Sequence, residues 1–349
     1  MILPALGWAV VHSLWQWTLI AGIAALVLGL LAHASARARY AVATTALAAM
    51  ATAFVITAAT GLTMTELPLR RQMLYAFNSA LAFDAIVSSG RTILQVAGAL
   101  WLAGVGWGLL GLGREWGRMC ALVRSAWRPV SATVRALGDA VGKHLRLRAD
   151  VEIRQSASAA VPMVLGARRP LILLPLDAED RLTRGQLRSV LAHELAHVGR
   201  RDFAVNALQL IADAMAFHHP AARWISRTIR TEREYCCDDV AVATEDARTY
   251  ARALAHLEDG RAGSRLAVAA ASGTLLDRVE RIVGQQRPAL TGARGAMVCV
   301  GATVIGVALL IFSMSVPPPW VPAGVRLRRP APPGMAVTAT PPSGPRRAP

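Results

Sequence analysis

His193-Glu194-Leu195-Ala196-His197 is the stretch on which the rest of the chain turns. Its two histidines stand at i and i+4, which on an α-helix puts both imidazoles on one face, one turn apart. Two imidazoles so placed can hold one Zn²⁺, and Glu194 between them can take a proton from water polarised by the metal. The flanking residues agree on a helix. Thr183-Arg184-Gly185-Gln186 is a capping-box sequence, and Leu187, Val190, Leu191, Leu195 and Val198 follow at helical spacing. Gly199 is placed to end the helix.

A two-histidine site needs a third protein ligand and one open position. Downstream, Glu232-Arg233-Glu234-Tyr235-Cys236-Cys237-Asp238-Asp239 continues the helix that follows Pro220. Glu234 and Asp238 lie at i and i+4. In that arrangement Glu234 binds the metal, and Asp238 takes the outer N–H of a ligand histidine and fixes its orientation. Glu232 is the rival ligand, but its i+4 partner is Cys236, a poorer acceptor. Cys236 and Cys237 are themselves thiol donors, although a water-activating His₂Glu site needs no thiolate. His218 and His219, before Pro220, read as loop residues, with polarisation of a substrate carbonyl as the other reading.

Upstream of the motif the pattern changes period. Val151–Gln155 alternates like a strand, and Val161–Gly166 and Leu171–Leu174 are short apolar runs joined by Ala167-Arg168-Arg169-Pro170, as in a hairpin. A small sheet just before the motif helix is either a stabilising layer or an edge that receives an extended peptide by backbone pairing. On the second reading Val161, Pro162, Met163 and Val164 are the candidate substrate-binding residues. Asp202 to Phe217 forms a further helix, with Asn206, Gln209 and Asp213 on one stripe. It is too short to cross a bilayer, so it is either buried or dips into the membrane surface.

The composition supplies the setting. The 349 residues are 54% hydrophobic with a net charge of +16, and the mean hydropathy is +0.39. That is too apolar for an ordinary soluble domain. The apolar residues cluster in runs at about 6–31, 40–62 and 92–113, and again at 296–316, each long enough to span a bilayer. The first is expected to be a retained span, because no basic leader precedes it and no cleavage site follows. Trp8, Trp15 and Trp17 suit an interface or helix packing, and Gly104 and Gly108 suit a close helix approach. Thr63–Arg91 reads as a mixed-charge loop, and Arg114–Arg148 as a basic helical region leaving the membrane.

Basic residues near the span ends give the orientation. Arg37, Arg39, Arg114, Arg118, Arg124, Arg128, Arg281, Arg287 and Arg294 would share one side, and Arg70, Arg71, Arg91, Arg326, Arg328 and Arg329 the other. The larger group favours a cytoplasmic middle region with both termini outside. Cys120, Cys236, Cys237 and Cys299 form no disulfide framework, which fits a reducing compartment. No basic stretch is interleaved with aromatics as base stacking requires, so direct nucleic-acid binding is not expected.

The combination resembles the BlaR/MecR-type membrane zinc peptidases, the antirepressor family of β-lactam resistance. The matching elements are three N-terminal spans, Val161-Pro162, Pro170-Leu171-Ile172-Leu173-Leu174-Pro175, Leu191 to His197 with Arg201-Asp202, Phe217-His218-His219-Pro220, Glu232-Arg233-Glu234 running into Cys237-Asp238, and a last span. The resemblance implies a mainly α, multi-pass protein of the bacterial inner membrane. It has four transmembrane helices, and a cytosolic α+β gluzincin-type domain sits between the third and fourth. The expected organisation is a membrane domain over 1–113, the zinc peptidase domain over 114–292, a fourth span over 293–316 and a tail over 317–349.

The same resemblance implies His193, His197 and Glu234 as ligands of one Zn²⁺, Glu194 as general base and Asp238 behind a ligand histidine. It further implies cleavage of the chain itself, of a DNA-bound repressor, or of both, after an outside signal. Gly260–Thr274, rich in Gly, Ala and Ser between helical patterns, reads either as a plain linker or as a self-cleavage loop. Sensor members carry a folded penicillin-binding domain after the last span. Here Pro317–Pro349 holds 11 of the 19 prolines and no S-x-x-K motif. That tail is expected to be disordered, and β-lactam sensing by this chain alone is not expected. The sources left for a signal are a sensor partner or a second copy, the tail, and the 63–91 loop.

Overall fold

The computed structural model describes residues 2–64, 80–124, 127–259 and 275–284. The 296–316 run, the Pro-rich tail and the Gly260–Thr274 segment lie outside the described residues. All described residues belong to one compact unit, Met1–Leu309.

Among the described residues three helices begin the fold: α1 Ile2–Leu30, α2 Ala36–Met64 and α3 Ala80–Arg124. Each contains a stretch long and apolar enough to cross a membrane, at Ile2–Leu30, Ala36–Leu62 and Thr92–Ala121. The third helix corrects one expectation, the 63–91 loop, and fits another, the basic helical region from Arg114. It starts at Ala80, inside the expected 63–91 loop, and it runs on to Arg124 through charged residues. Arg114, Glu115 and Arg118 are good helix formers, so polarity ends the apolar span without ending the helix. α1 and α3 approach as closely as glycine allows, because a Cβ on Gly7 would stand 1.9 Å from the Leu94 carbonyl oxygen. Trp17 packs inside the bundle and its Nε1 donates to the Met50 carbonyl at 2.8 Å.

Beyond α3 the basic helical region is interrupted by a short strand. Strand β1 (Trp127–Pro129) comes first, then α4 (Ala132–His144), started by Ser131, whose hydroxyl accepts from the Val134 N–H. Pro129 has no N–H and disfavours α geometry before it, so Trp127–Pro129 pairs as an edge strand. Next come β2 (Glu152–Ser156), β3 (Met163–Leu165) and β4 (Leu171–Pro175), in the spatial order β1-β2-β4-β3. β3 and β4 form the antiparallel hairpin that the sequence predicts. Gly166 makes their turn at φ +85°, where a Cβ would meet the Arg169 carbonyl oxygen at 2.5 Å. β4 is buried along its whole length, as its unbroken apolar run requires. β3 is an edge strand, and its outer side pairs with nothing among the described residues.

A short turn of helix, α5 (Ala178–Arg181), leads to α6 (Arg184–Gly199), which carries the His193–His197 motif. The capping box forms: Gln186 N–H donates to Thr183 Oγ1, and Thr183 N–H donates to Gln186 Oε1 at 2.9 Å. Leu187, Val190, Leu191 and Leu195 pack with Ile172 and Leu174 of β4 and with Val134, Leu137 and Val141 of α4. At the other end of α6, the left-handed residue is Arg201 (φ 56°) and not Gly199. Gly199 instead clears Leu147, whose Cδ2 would lie 2.8 Å from a Cβ there. Then follow α7 (Asp202–Met215), α8 (Pro220–Thr244), α9 (Ala247–Asp259) and a short helix over 275–282.

Candidate metal centre

Five described helical segments build the site, counting α7, whose Asp202 stands behind His197. α6 supplies His193, Glu194 and His197, and α8 supplies Glu234 and Asp238. α9 supplies Tyr250, and the 275–282 helix supplies Arg278. The i, i+4 spacing has the predicted result: the imidazole rings stand edge to face with centroids 4.8 Å apart, and their Nε2 atoms are 3.2 Å apart. Glu234 closes the third side, at 3.6 Å from His193 Nε2 and 3.9 Å from His197 Nε2. One donor atom from each of the three residues falls within 4.8 Å of the others.

This set fits a zinc ion. Two nitrogens at about 2.0–2.1 Å from one tetrahedral metal lie roughly 3.3 Å apart, close to the Nε2 separation found here. Both outer Nδ1 atoms are engaged, which leaves the Nε2 lone pairs for a metal. His193 Nδ1 meets the Tyr250 hydroxyl at 2.9 Å and Asp238 Oδ1 at 3.2 Å. His197 Nδ1 meets Asp202 Oδ2 at 2.9 Å. Glu194, 8% exposed, lines the same cleft.

The carboxylates behind the ring are themselves held. Asp238 is fully buried and accepts from the Tyr250 hydroxyl at 2.7 Å and from Arg278 through two nitrogens. Arg278 also donates to the Tyr250 oxygen at 3.1 Å and lies 3.6 Å from Glu234. The electrostatics follow from this packing. Burial pushes His193 down, but its bonds to Asp238 and Glu234 outweigh that and hold it up at about 9. Burial pushes Asp238 and Glu234 up, yet His193 and Arg278 hold both well below the usual carboxylate range. Two acids and two bases, Asp238 and Glu234 with His193 and Arg278, are thus packed where one dication would also balance the acids.

The rival donors fall elsewhere. Glu232 turns away from the histidines toward α2, with its Oε1 2.8 Å from Arg39 Nε. Cys236 lines a different groove, with Arg200 and Leu147. Cys237 Sγ lies on the outer side of His197, 3.4 Å from Nδ1 and 3.7 Å from Asp202. These three residues also meet at donor spacing, but burial and the Asp202 and Glu234 charges push the Cys237 thiol far up and keep it protonated. His218 and His219 do not enter the site. They are inserted against α1, where His218 Nε2 meets Ser13 Oγ at 3.0 Å and His219 Nε2 meets the Leu14 carbonyl at 3.1 Å.

A cleft of about 630 Å³ opens over the histidines. Val161, Pro162, Met163 and Val164 form one wall, so the edge strand β3 does lie beside the motif helix. Phe203, Asn206, Arg230 and Thr231 of α7 and α8 continue it on the other side. Sequence reasoning missed Tyr250 and Arg278 altogether, and Asp202 entered only as part of a motif. Asp202 carried a usable signal, since it starts the next helix directly after α6. Arg278 carried none, because its approach depends on how the chain returns after α9.

The fold and the cleft define a helical membrane protein with a candidate metal-dependent hydrolytic site. The chain belongs to the BlaR1 peptidase M56 family, whose model matches residues 6–282. The match takes in the three apolar helices from residue 6 onward and every residue of the site described above. The chain is also similar to the regulatory protein BlaR1 of Bacillus licheniformis, 27% identical over 108 residues. That similarity covers 31% of this chain and 18% of the relative. Family membership supports a membrane-associated protease.

Proposed function

We propose that this chain is a zinc-dependent membrane endopeptidase with a regulatory role, cleaving itself, a cytosolic transcriptional repressor, or both, in response to a signal. The observation that carries the chemistry is the convergence of His193 Nε2, His197 Nε2 and a Glu234 oxygen in one cleft beside a strand edge that is unpaired among the described residues. The regulatory role rests on the likeness to the B. licheniformis protein, whose name is that of a regulatory protein.

His193, His197 and Glu234 would hold the zinc, which when bound supplies a Lewis acid that lowers the pKa of water. The chain's own residues do the rest. Glu194 accepts the proton of the attacking water and delivers it to the leaving amine. Asp202 and Asp238, the latter with Tyr250 and Arg278, keep the imidazoles in the tautomer that presents Nε2. β3 receives an extended peptide by antiparallel or parallel pairing and sets it across Glu194. The orientation that fits the arginine distribution puts the cleft on the cytoplasmic side of the bacterial inner membrane, where a repressor is accessible.

The test is a census of new protein N-termini in cells carrying the chain or its Glu194→Ala form. New ends confined to one or two regulators or to the chain itself support the proposal. New ends scattered over many damaged membrane proteins would overturn the regulatory role in favour of quality control.

A further inference from the structure

Helices α7 and α8 form a hairpin whose base and tip lie at very different levels of the three-span bundle. At the base, Glu232 pairs with Arg39 in the first turn of α2, the Arg200 guanidinium lies over the Tyr40 ring, and Phe203 stands 6.0 Å from Trp116. At the tip, His218 and His219 meet Ser13 and Leu14 near the middle of α1, and the Trp17 ring lies 5.4 Å from each imidazole. The Met215 carbonyl accepts from Trp101 Nε1 at 2.9 Å. Gly104 and Gly108, which the sequence suggested for span packing, instead admit this tip. A Cβ on Gly104 would stand 2.2 Å from the Phe217 ring, and one on Gly108 3.1 Å from Ala214 Cβ.

At about 1.5 Å per residue, the run from Glu232 back to His219 covers roughly 20 Å. The run from Arg114 up α3 to Trp101 covers about the same. The hydrocarbon core of a bilayer is about 30 Å thick. The tip therefore reaches past the first charged residues to around mid-depth of the spans and then returns. Its non-helical turn is partly enclosed: Ala216 and His219 are buried, Phe217 and His218 are half-buried, and the exposed Arg223 donates to the Phe217 carbonyl. Irregular backbone at membrane depth requires such enclosure.

The two faces of the hairpin differ. Leu208 and Ile211 on one face of α7 are 69% and 42% exposed. On the opposite face, Asn206 lines the metal cleft and Asp213 pairs with Arg230 at 3.0 Å. On α8, Arg223, Arg227, Arg230 and Glu234 recur at i, i+4, i+7 and i+11, one polar stripe ending at the candidate metal site. Ionisable side chains at membrane depth face a protein interior or a water-filled cavity.

We propose that α7 and α8 are a re-entrant hairpin, with Leu208 and Ile211 against lipid acyl chains and the Arg223–Arg230 face hydrated as an extension of the cleft. The inference rests on the three apolar spans and is independent of the metal reading. It sets the cleft at the membrane boundary, level with Arg39.

The test uses the full chain in lipid vesicles, with Cys120 and Cys299 replaced and buried Cys236 and Cys237 kept, the parent showing no label uptake. Nitroxides at Leu208→Cys, Ile211→Cys, Arg227→Cys and the solvent reference Glu152→Cys are compared for relaxation by oxygen and by a water-soluble nickel chelate. The expected result is oxygen access with loss of nickel access at 208 and 211, and nickel access at 227. Nickel access at 208 and 211 equal to that at 152 would place the hairpin outside the bilayer. Shielding of 208 and 211 from both agents would replace lipid by protein cover, and loss of nickel access at 227 would remove the hydrated face. Either Leu208→Cys or Ile211→Cys alone suffices if the other does not fold.

Discussion

Arg278 grips both carboxylate oxygens of Asp238, with Nε to Oδ2 at 2.9 Å and Nη2 to Oδ1 at 2.6 Å. The pair ties a helix that follows α9 to the acid behind His193. Removing the guanidinium leaves a fully buried carboxylate with only the Tyr250 hydroxyl and His193 as partners, and breaking one side of a buried pair costs up to about 3–5 kcal/mol. Arg278→Ala is expected to lower the thermal midpoint sharply and to loosen the metal. Thermal unfolding with and without chelator measures both. An unchanged midpoint would show that the pair carries no load.

Tyr250→Phe keeps the ring and deletes only the hydroxyl that bridges His193 Nδ1 and Asp238. Loss of such an outer partner typically weakens metal affinity about 10–100-fold. Asp238 still reaches His193 at 3.2 Å, so the effect should fall at the low end, and Asp238→Asn should exceed it. Competition with a chelator of known affinity ranks the two, and the reverse order would contradict the assignment.

Protons and metal compete for His193. Its metal-free value is held at about 9, above the ordinary 6.5. A raised value stabilises the metal-free fold fully below pH 6.5, and that gain is lost as pH rises through 9. Metal needs the neutral ring, so uptake should strengthen steadily from pH 6.5 to 9. Titration of chelated protein at several pH values checks this, and a flat affinity would contradict it.

The sequence made one layer of the site legible and hid another. His193, His197, Glu234 and Asp238 lie at intervals of four within single helices, so helical geometry alone brings each pair together. Asp238, Tyr250 and Arg278 come from three segments joined only by tertiary packing, which no local period encodes. The same holds for the membrane. Apolar length revealed the three spans, but the insertion of Phe217–Pro220 between α1 and α3 depends on Gly104 and Gly108 accepting it, and their partners are far away in the chain. The break in Arg114–Arg148 at Trp127–Pro129 was missed because a three-residue edge strand carries too little alternation to register.

Thr183→Ala separates fold from chemistry. It removes the acceptor of the Gln186 N–H at the start of the motif helix, a change worth about 1 kcal/mol. A lower thermal midpoint with unchanged metal content and unchanged cleavage per folded molecule is expected. Loss of metal at full stability would contradict the reading of Thr183 as a cap.

The proposed division of labour puts His193, His197 and Glu234 on the metal and Glu194 on the proton. It is tested most directly by measuring zinc per chain and peptide cleavage in purified wild type, Glu194→Ala and Glu234→Ala. Glu194→Ala is expected to keep about one zinc and lose cleavage on the order of a hundredfold or more, and Glu234→Ala to lose both. Full zinc retention by Glu234→Ala, or undiminished cleavage by Glu194→Ala, would contradict it.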